Sequence, residues 1–218
     1  MKKFISILIL CLFALSVNAN ELASFIKHAQ YESVKISPNG KYLAVKTSYD
    51  GYKVLAFLDF KTKKLEYLLR LANKRNVGNF YWVNNERVVL DVTYSYGPLD
   101  QERYDGSLYA INFDGSKGKY IFGRFVRHST TSKSSKLIGS GTPRVISTLK
   151  GDDKYIYVSI SPWRSSNIQS IRPAELIRLD VYNGKQKYLM RSPGRGDGFV
   201  LDNNDDVRFA YGVTGFQE

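Results

Sequence analysis

Leu58-Asp59-Phe60 followed by Lys61-Thr62-Lys63-Lys64, Ile111-Asn112-Phe113 followed by Asp114-Gly115-Ser116-Lys117, and Leu179-Asp180-Val181 followed by Tyr182-Asn183-Gly184-Lys185 are one phrase written three times. Each closes a β-rich run, makes a short polar turn and opens another apolar run. Repetition on this scale predicts similar sheets stacked in series. The Asp/Asn positions are 53 and 68 residues apart, against roughly 40–50 residues for a four-stranded propeller blade. The longer interval calls for an insertion, and residues 129–141, crowded with Ser, Thr, Lys and Gly and lacking apolar alternation, read as that loop.

Around the phrase the strands alternate with turn signals. Ser37-Pro38-Asn39-Gly40-Lys41 is a turn in which proline presets φ and Asn-Gly accepts positive φ. It is flanked by runs at 31–36 and 42–45, and further runs at 54–58 and 65–69 complete a first four-stranded unit, with Asp50-Gly51 as one of its turns. A second unit takes 79–83, 87–92, 108–113 and 119–122, with Asn84-Asn85-Glu86 as a turn and 95–106 as a longer loop. A third takes 144–149, 155–160, 175–181 and 187–190. A fourth begins at 198–202, turns at Asn203-Asn204-Asp205-Asp206 and continues through 207–213. The expected architecture is therefore all-β: a partial β-propeller of about three and a half antiparallel blades, at about 31–70, 77–123, 143–191 and 198–218.

Residues 1–19 read as a secretion leader: Lys2-Lys3, an apolar run from Phe4 to Leu15, and Val17-Asn18-Ala19 as a cleavage site. The apolar run is short for a membrane span of about 20 residues. Leu10 before Cys11 is too large for a lipid-attachment box, so Cys11 reads as part of the leader. It is the only cysteine, and the exported chain is expected to hold no disulfide and no thiol chemistry. Residues 20–30 read as an arm or short helix, with Leu22, Phe25, Ile26 and Ala29 on one face. The expected location is periplasmic or secreted.

The chain carries 32 Lys and Arg against 20 Asp and Glu, a net charge of +12, two fewer without Lys2 and Lys3. The cations are dispersed over turns, which argues against nucleic-acid binding and for a general attraction to acidic peptides or anionic surfaces. Sixteen tyrosines among 14% aromatic residues suit pleated faces, where the ring packs and the hydroxyl stays near water.

Ile36-Ser37-Pro38-Asn39-Gly40-Lys41-Tyr42-Leu43-Ala44, Phe80-Tyr81-Trp82-Val83-Asn84-Asn85-Glu86-Arg87-Val88-Val89, Leu108-Tyr109-Ala110-Ile111-Asn112-Phe113-Asp114-Gly115, Ile177-Arg178-Leu179-Asp180-Val181-Tyr182-Asn183-Gly184 and Arg191-Ser192-Pro193-Gly194-Arg195-Gly196 together resemble the N-terminal propeller of the prolyl oligopeptidase family of serine peptidases. The resemblance spans most of 36–213. It implies a propeller that restricts access to a following α/β-hydrolase domain, which cleaves short peptides with a Gly-x-Ser-x-Gly serine, an Asp and a His. No such triad is written in this chain, and none of its residues is assigned a catalytic, metal-binding or cofactor-binding role. Ser140, between Gly139 and Gly141, lacks the elbow spacing. His28 has no partner in the pattern, and His128 lies beside Arg127, which disfavours its protonated form.

Glu86, Glu102 and Glu175 are acids of the type that holds a peptide's amino terminus on some propellers, but each also reads as a turn or surface charge. The expected function is the non-catalytic, substrate-gating part of an exported serine peptidase, with peptide substrate reached through the hydrolase domain. The alternative is a stand-alone periplasmic binding or scaffold propeller that pairs with a second copy through open sheet edges.

Overall fold

The computed structural model describes residues 31–97, 101–126, 141–163 and 173–213, and those from Tyr31 onward form one compact unit. The leader with Cys11, the 20–30 arm with His28, and the 127–140 stretch with His128, Gly139 and Ser140 lie outside the described residues.

The regular elements among the described residues are all strands. The first sheet holds β1 (Tyr31–Ile36), β2 (Tyr42–Tyr49), β3 (Tyr52–Asp59) and β4 (Leu65–Leu69). The second holds β5 (Arg75–Trp82), β6 (Arg87–Tyr96), β7 (Gln101–Asn112) and β8 (Lys119–Phe122). The third holds β9 (Gly141–Ser147), β10 (Tyr155–Pro162), β11 (Glu175–Asp180) and β12 (Gln186–Arg191), and β13 (Arg195–Leu201) pairs with β14 (Val207–Val213) in a two-stranded sheet. Each sheet is an antiparallel meander whose strands pair in chain order.

The thrice-written phrase is one turn built three times. Asp59, Asn112 and Asp180 end β3, β7 and β11. In each case the backbone N–H of that residue donates across the turn, to Lys64 O, Ser116 O and Lys185 O. The next residue's N–H donates to the residue preceding the second strand: Phe60 to Lys41, Phe113 to Glu86 and Val181 to Lys154. The acidic side chain explains the preference for Asp, because its Oδ1 accepts from Lys61 and Thr62 at position 59 and from Tyr182 and Asn183 at position 180. The left-handed turn position is Gly184 in one copy, with φ of 76°, and Lys63 in another, with φ of 58°.

The cores lie between consecutive sheets. Leu55, Phe57 and Leu69 of the first sheet pack on Phe80, Trp82, Val88 and Leu90 of the second. Val89, Leu108 and Ile121 of the second pack on Val145, Ile156, Val158 and Leu179 of the third. Leu176 and Phe199 join the third sheet to β13. β6 is thus covered on both faces: Val88 and Leu90 point toward the first sheet and Val89 toward the third. Its near-continuous apolar run follows from that double cover, since a half-solvated antiparallel strand would alternate with polar residues.

One expectation changes. Residues 95–106, read as a loop, belong largely to β6 and β7, which extend as a ribbon to Tyr96 and from Gln101. Tyr96, Gln101, Glu102, Arg103 and Tyr104 are exposed there, so no core face imposes the alternation that marks a strand in sequence. The other strands fall where the sequence predicts them, with β5 beginning earlier, at Arg75, and β9 at Gly141.

Candidate functional site

Asp91 interrupts the apolar run of β6, and both ladders slip around it. On one side Val77 pairs with Val92 and Phe80 with Leu90, so Gly78 and Asn79 together oppose Asp91. On the other, Asp91 pairs with Leu108 and Thr93 with Tyr104, so Asp105, Gly106 and Ser107 oppose Val92 alone. Bulges of this kind bend a strand and re-aim its side chains. Both bulges contain a glycine: a Cβ on Gly78 would sit tightly, 3.1 Å from the Asp91 Cβ, and Gly106 is required, with φ of 81° and the Trp163 ring over it.

The slip opens a cavity of about 470 Å³ lined by Asn79, Tyr81, Asp91, Tyr104, Thr142, Arg144 and Ser161, between the second and third sheets. Asp91 is 5% exposed, and its Oδ1 has no hydrogen-bond partner. Burial pushes the carboxyl up to about 7, against the opposing pull of an Asn79 hydrogen bond and the charges of Lys35 and Lys46. Those two lysines are engaged elsewhere: Lys46 pairs with Glu32 at 3.2 Å, and Lys35 donates to the Phe80 carbonyl and lies over the Phe80 and Tyr81 rings. Burial in turn lowers Lys35, and it raises the Tyr81 phenol to about 12, with the Asp91 charge adding to that shift. Tyr104 accepts a hydrogen bond from Asn79 Nδ2 at 3.2 Å, which turns its own O–H toward other acceptors.

The chemistry available is recognition. A buried carboxylate oxygen lacking a donor is costly, and a ligand ammonium brought into the cavity would satisfy it with a charge-assisted hydrogen bond beside two tyrosine rings. Of the acids singled out in sequence, Glu102 lines a smaller recess of about 130 Å³ with Lys46, Asn79, Thr93 and Tyr104. Glu86 is exposed at the turn before β6, and Glu175 pairs with Arg191 at 2.8 Å. Asp91 itself carried a readable signal, an acid inside Val88-Val89-Leu90-Asp91-Val92.

No family model matches the chain, and no curated protein matches it. Solved structures with a similar trace include a protein of Clostridium novyi NT assigned as a conserved lipoprotein, at 13% identity over 75% of this chain and 89% of that one, with a TM-score of 0.43. Hydrazine synthase of Kuenenia stuttgartiensis aligns at 14% identity over 68% of this chain and 39% of its own, with a TM-score of 0.37. The isopeptidase AtxE2 in its apo form aligns at 12% identity over 74% and 34%, with a TM-score of 0.30. The chain therefore spans well under half of the latter two. Likeness at this level establishes neither a family nor a function.

Proposed function

We propose that residues 31–213 are successive blades of a β-propeller that holds short peptides by their amino terminus, and that the chain is the non-catalytic, substrate-gating part of an exported serine peptidase. The observation that carries the peptide-holding part is the buried Asp91 carboxylate, whose Oδ1 has no hydrogen-bond partner, facing a cavity between two sheets. The propeller reading is supported by four-stranded meanders stacked in chain order with the same closing turn. The peptidase reading is supported by the ordered motif series from Ile36 to Gly196.

Titration calorimetry of the exported chain with a tripeptide and its N-acetylated form tests the binding. The free amine binds and the acetylated form does not, and Asp91→Asn weakens the free amine by tenfold or more, a loss of about 1.4 kcal/mol. Affinity for the free amine rises between pH 5.5 and 7.5 as Asp91 ionises. It falls again above about 8, where a peptide amino group loses its proton. Equal binding of both peptides retires the proposal. The coding sequence beyond Glu218 tests the peptidase half: a continuation without a Gly-x-Ser-x-Gly elbow, an Asp and a His removes that assignment and leaves a binding propeller.

A scaffold reading is favoured by one other observation. Val34, Ile36 and Leu65 of the first sheet, and Val200, Phe209 and Tyr211 of the fourth, are exposed. A second copy covering these faces would give a dimer by sedimentation, and a monomer at all concentrations excludes it.

A further inference from the structure

Next to the Asp91 cavity lies a second one, of about 560 Å³, lined by Asn73, Lys74, Arg75, Tyr94, Ser95, Tyr104, Asp105, Arg124 and Trp163. We infer that the two are halves of one groove, and that the second receives the free carboxylate of the peptide whose amino terminus meets Asp91. This rests on the amino-terminus reading above, and it narrows the ligand to a free-acid peptide of three or four residues.

Two features join the halves. Tyr104 lines both. Trp163, on the wall of the second, donates its indole N–H to Thr142 Oγ1 at 3.2 Å, on the wall of the first. The balance of charge differs across this seam. The first half is lined by one acid, Asp91, and one cation, Arg144, whereas the second is lined by three cations, Lys74, Arg75 and Arg124, and one acid, Asp105.

Two of the cations, Arg75 and Arg124, are held by one acid and one ring. Asp105, with a fully buried side chain, accepts from Arg75 Nε at 2.6 Å and lies 3.8 Å from Arg124 Nη2. The Phe125 ring lies under both guanidinium groups, at 4.4 Å and 4.8 Å. Arg124 remains 57% exposed, so its fork is available to a carboxylate. Lys74 reaches the site from a backbone that few residues adopt: Asn73 and Lys74 have successive positive φ of 59° and 56°. Strain of that kind persists where the surroundings over-determine it and clusters at binding sites. With Asp105 offsetting one of the three cations, two positive charges remain to attract a carboxylate, and the exposed faces of Tyr104 and Trp163 offer a flat wall to the intervening side chains.

The spacing sets the length. Asn79 in the first half and Arg75 in the second are four residues apart on β5, about 13 Å at 3.3 Å per residue and somewhat less across the bulge. An extended peptide covers at most about 3.3–3.6 Å per residue, so three or four residues bridge the groove and two do not.

The test compares a free-acid tripeptide, its C-terminal amide and a free-acid dipeptide by calorimetry on the exported chain, with Arg124→Gln and Lys74→Asn as variants, Asn being tolerant of positive φ. Amidation weakens binding about tenfold, as does each variant toward the free acid, while neither variant changes affinity for the amide. The dipeptide binds more weakly than the tripeptide. If amide and acid bind alike while Asp91→Asn still abolishes binding, the carboxylate subsite is wrong and the amino-terminus reading stands. If Arg124→Gln weakens acid and amide equally, or the dipeptide matches the tripeptide, the inference also falls. If none of the three peptides binds, both readings fall together.

Discussion

Arg87 and Asp91 stand on the same face of β6 with Val89 between them, and both are withdrawn from solvent, yet the protein treats them in opposite ways. Arg87 is fully satisfied. Its Nε and Nη2 donate to the Val181 carbonyl at 2.9 and 2.7 Å, its Nη1 to Asn112 Oδ1 at 2.9 Å, and the Tyr182 ring lies 4.5 Å away. That charge stitches the second sheet to the third at the end where the repeated turns lie. Four residues on, Asp91 keeps an oxygen without a donor. A buried charge that is fully bonded holds a structure together, and one left unfinished beside a cavity is open to a further donor.

Arg87→Met gives the largest effect. It leaves the buried Val181 and Asn112 oxygens without their charged donor, at the upper part of about 1–3 kcal/mol each, so the urea midpoint falls by an amount equivalent to about 5 kcal/mol. A change below about 1 kcal/mol would show that this end is no better anchored than the other.

Asp91→Asn acts in the opposite direction. The Asp91 carboxyl titrates near 7 when folded and near 3.9 when unfolded, so between those values the folded state holds the extra proton. The contribution of Asp91 to wild-type stability therefore declines as pH rises from about 4 to about 7 and is fully unfavourable above 7. The variant lacks this slope and is the more stable at pH 8, by as much as about 4 kcal/mol, an upper bound from a shift of about three pH units. Paired urea titrations at pH 5 and pH 8 measure it, and equal slopes for the two proteins would place Asp91 in an ordinary, solvated setting.

Gly106→Ala is next. The added Cβ would come 2.4 Å from Trp163 Cζ2 at a φ of 81°, so the indole must move. The cost is about 1–2 kcal/mol, with a red shift of Trp163 emission that Gly151→Ala, where a Cβ meets nothing within 4 Å, does not produce. Lys154→Gln is the smallest. Its pairing with Asp180 at 3.4 Å is exposed on the lysine side, and Asp180 keeps its Tyr182 and Asn183 donors. The thermal midpoint is expected to stay within measurement scatter.

The turn end was legible in the sequence because its causes are local. Asp59, Asn112 and Asp180 bond within a few residues, and the phrase repeats because the geometry repeats. The groove end was less so. Glu102 drew notice as an acid and lines only the small recess beside Asn79 and Tyr104, and the slips opposite Asp91 and Val92 depend on register between strands, which no short stretch encodes. Arg75, Asp105, Arg124 and Trp163 meet only because two strands, β5 and β7, and the segments that follow β8 and β10 converge. The ribbon at 93–104 escaped notice as strand for the converse reason, since hydrogen bonds alone, without a core face, leave no mark on the order of apolar residues.

The bond from each phrase back to the residue before its second strand has a consequence for how the chain acquires its shape. Lys41 with Phe60, Glu86 with Phe113 and Lys154 with Val181 each close a loop of under 30 residues, and among the described residues no sheet borrows a strand from another. Closure over so short a span costs little chain entropy and favours rapid folding. Each meander can therefore register its own strands as soon as its fourth has been synthesised, and wait for the next to arrive and dock.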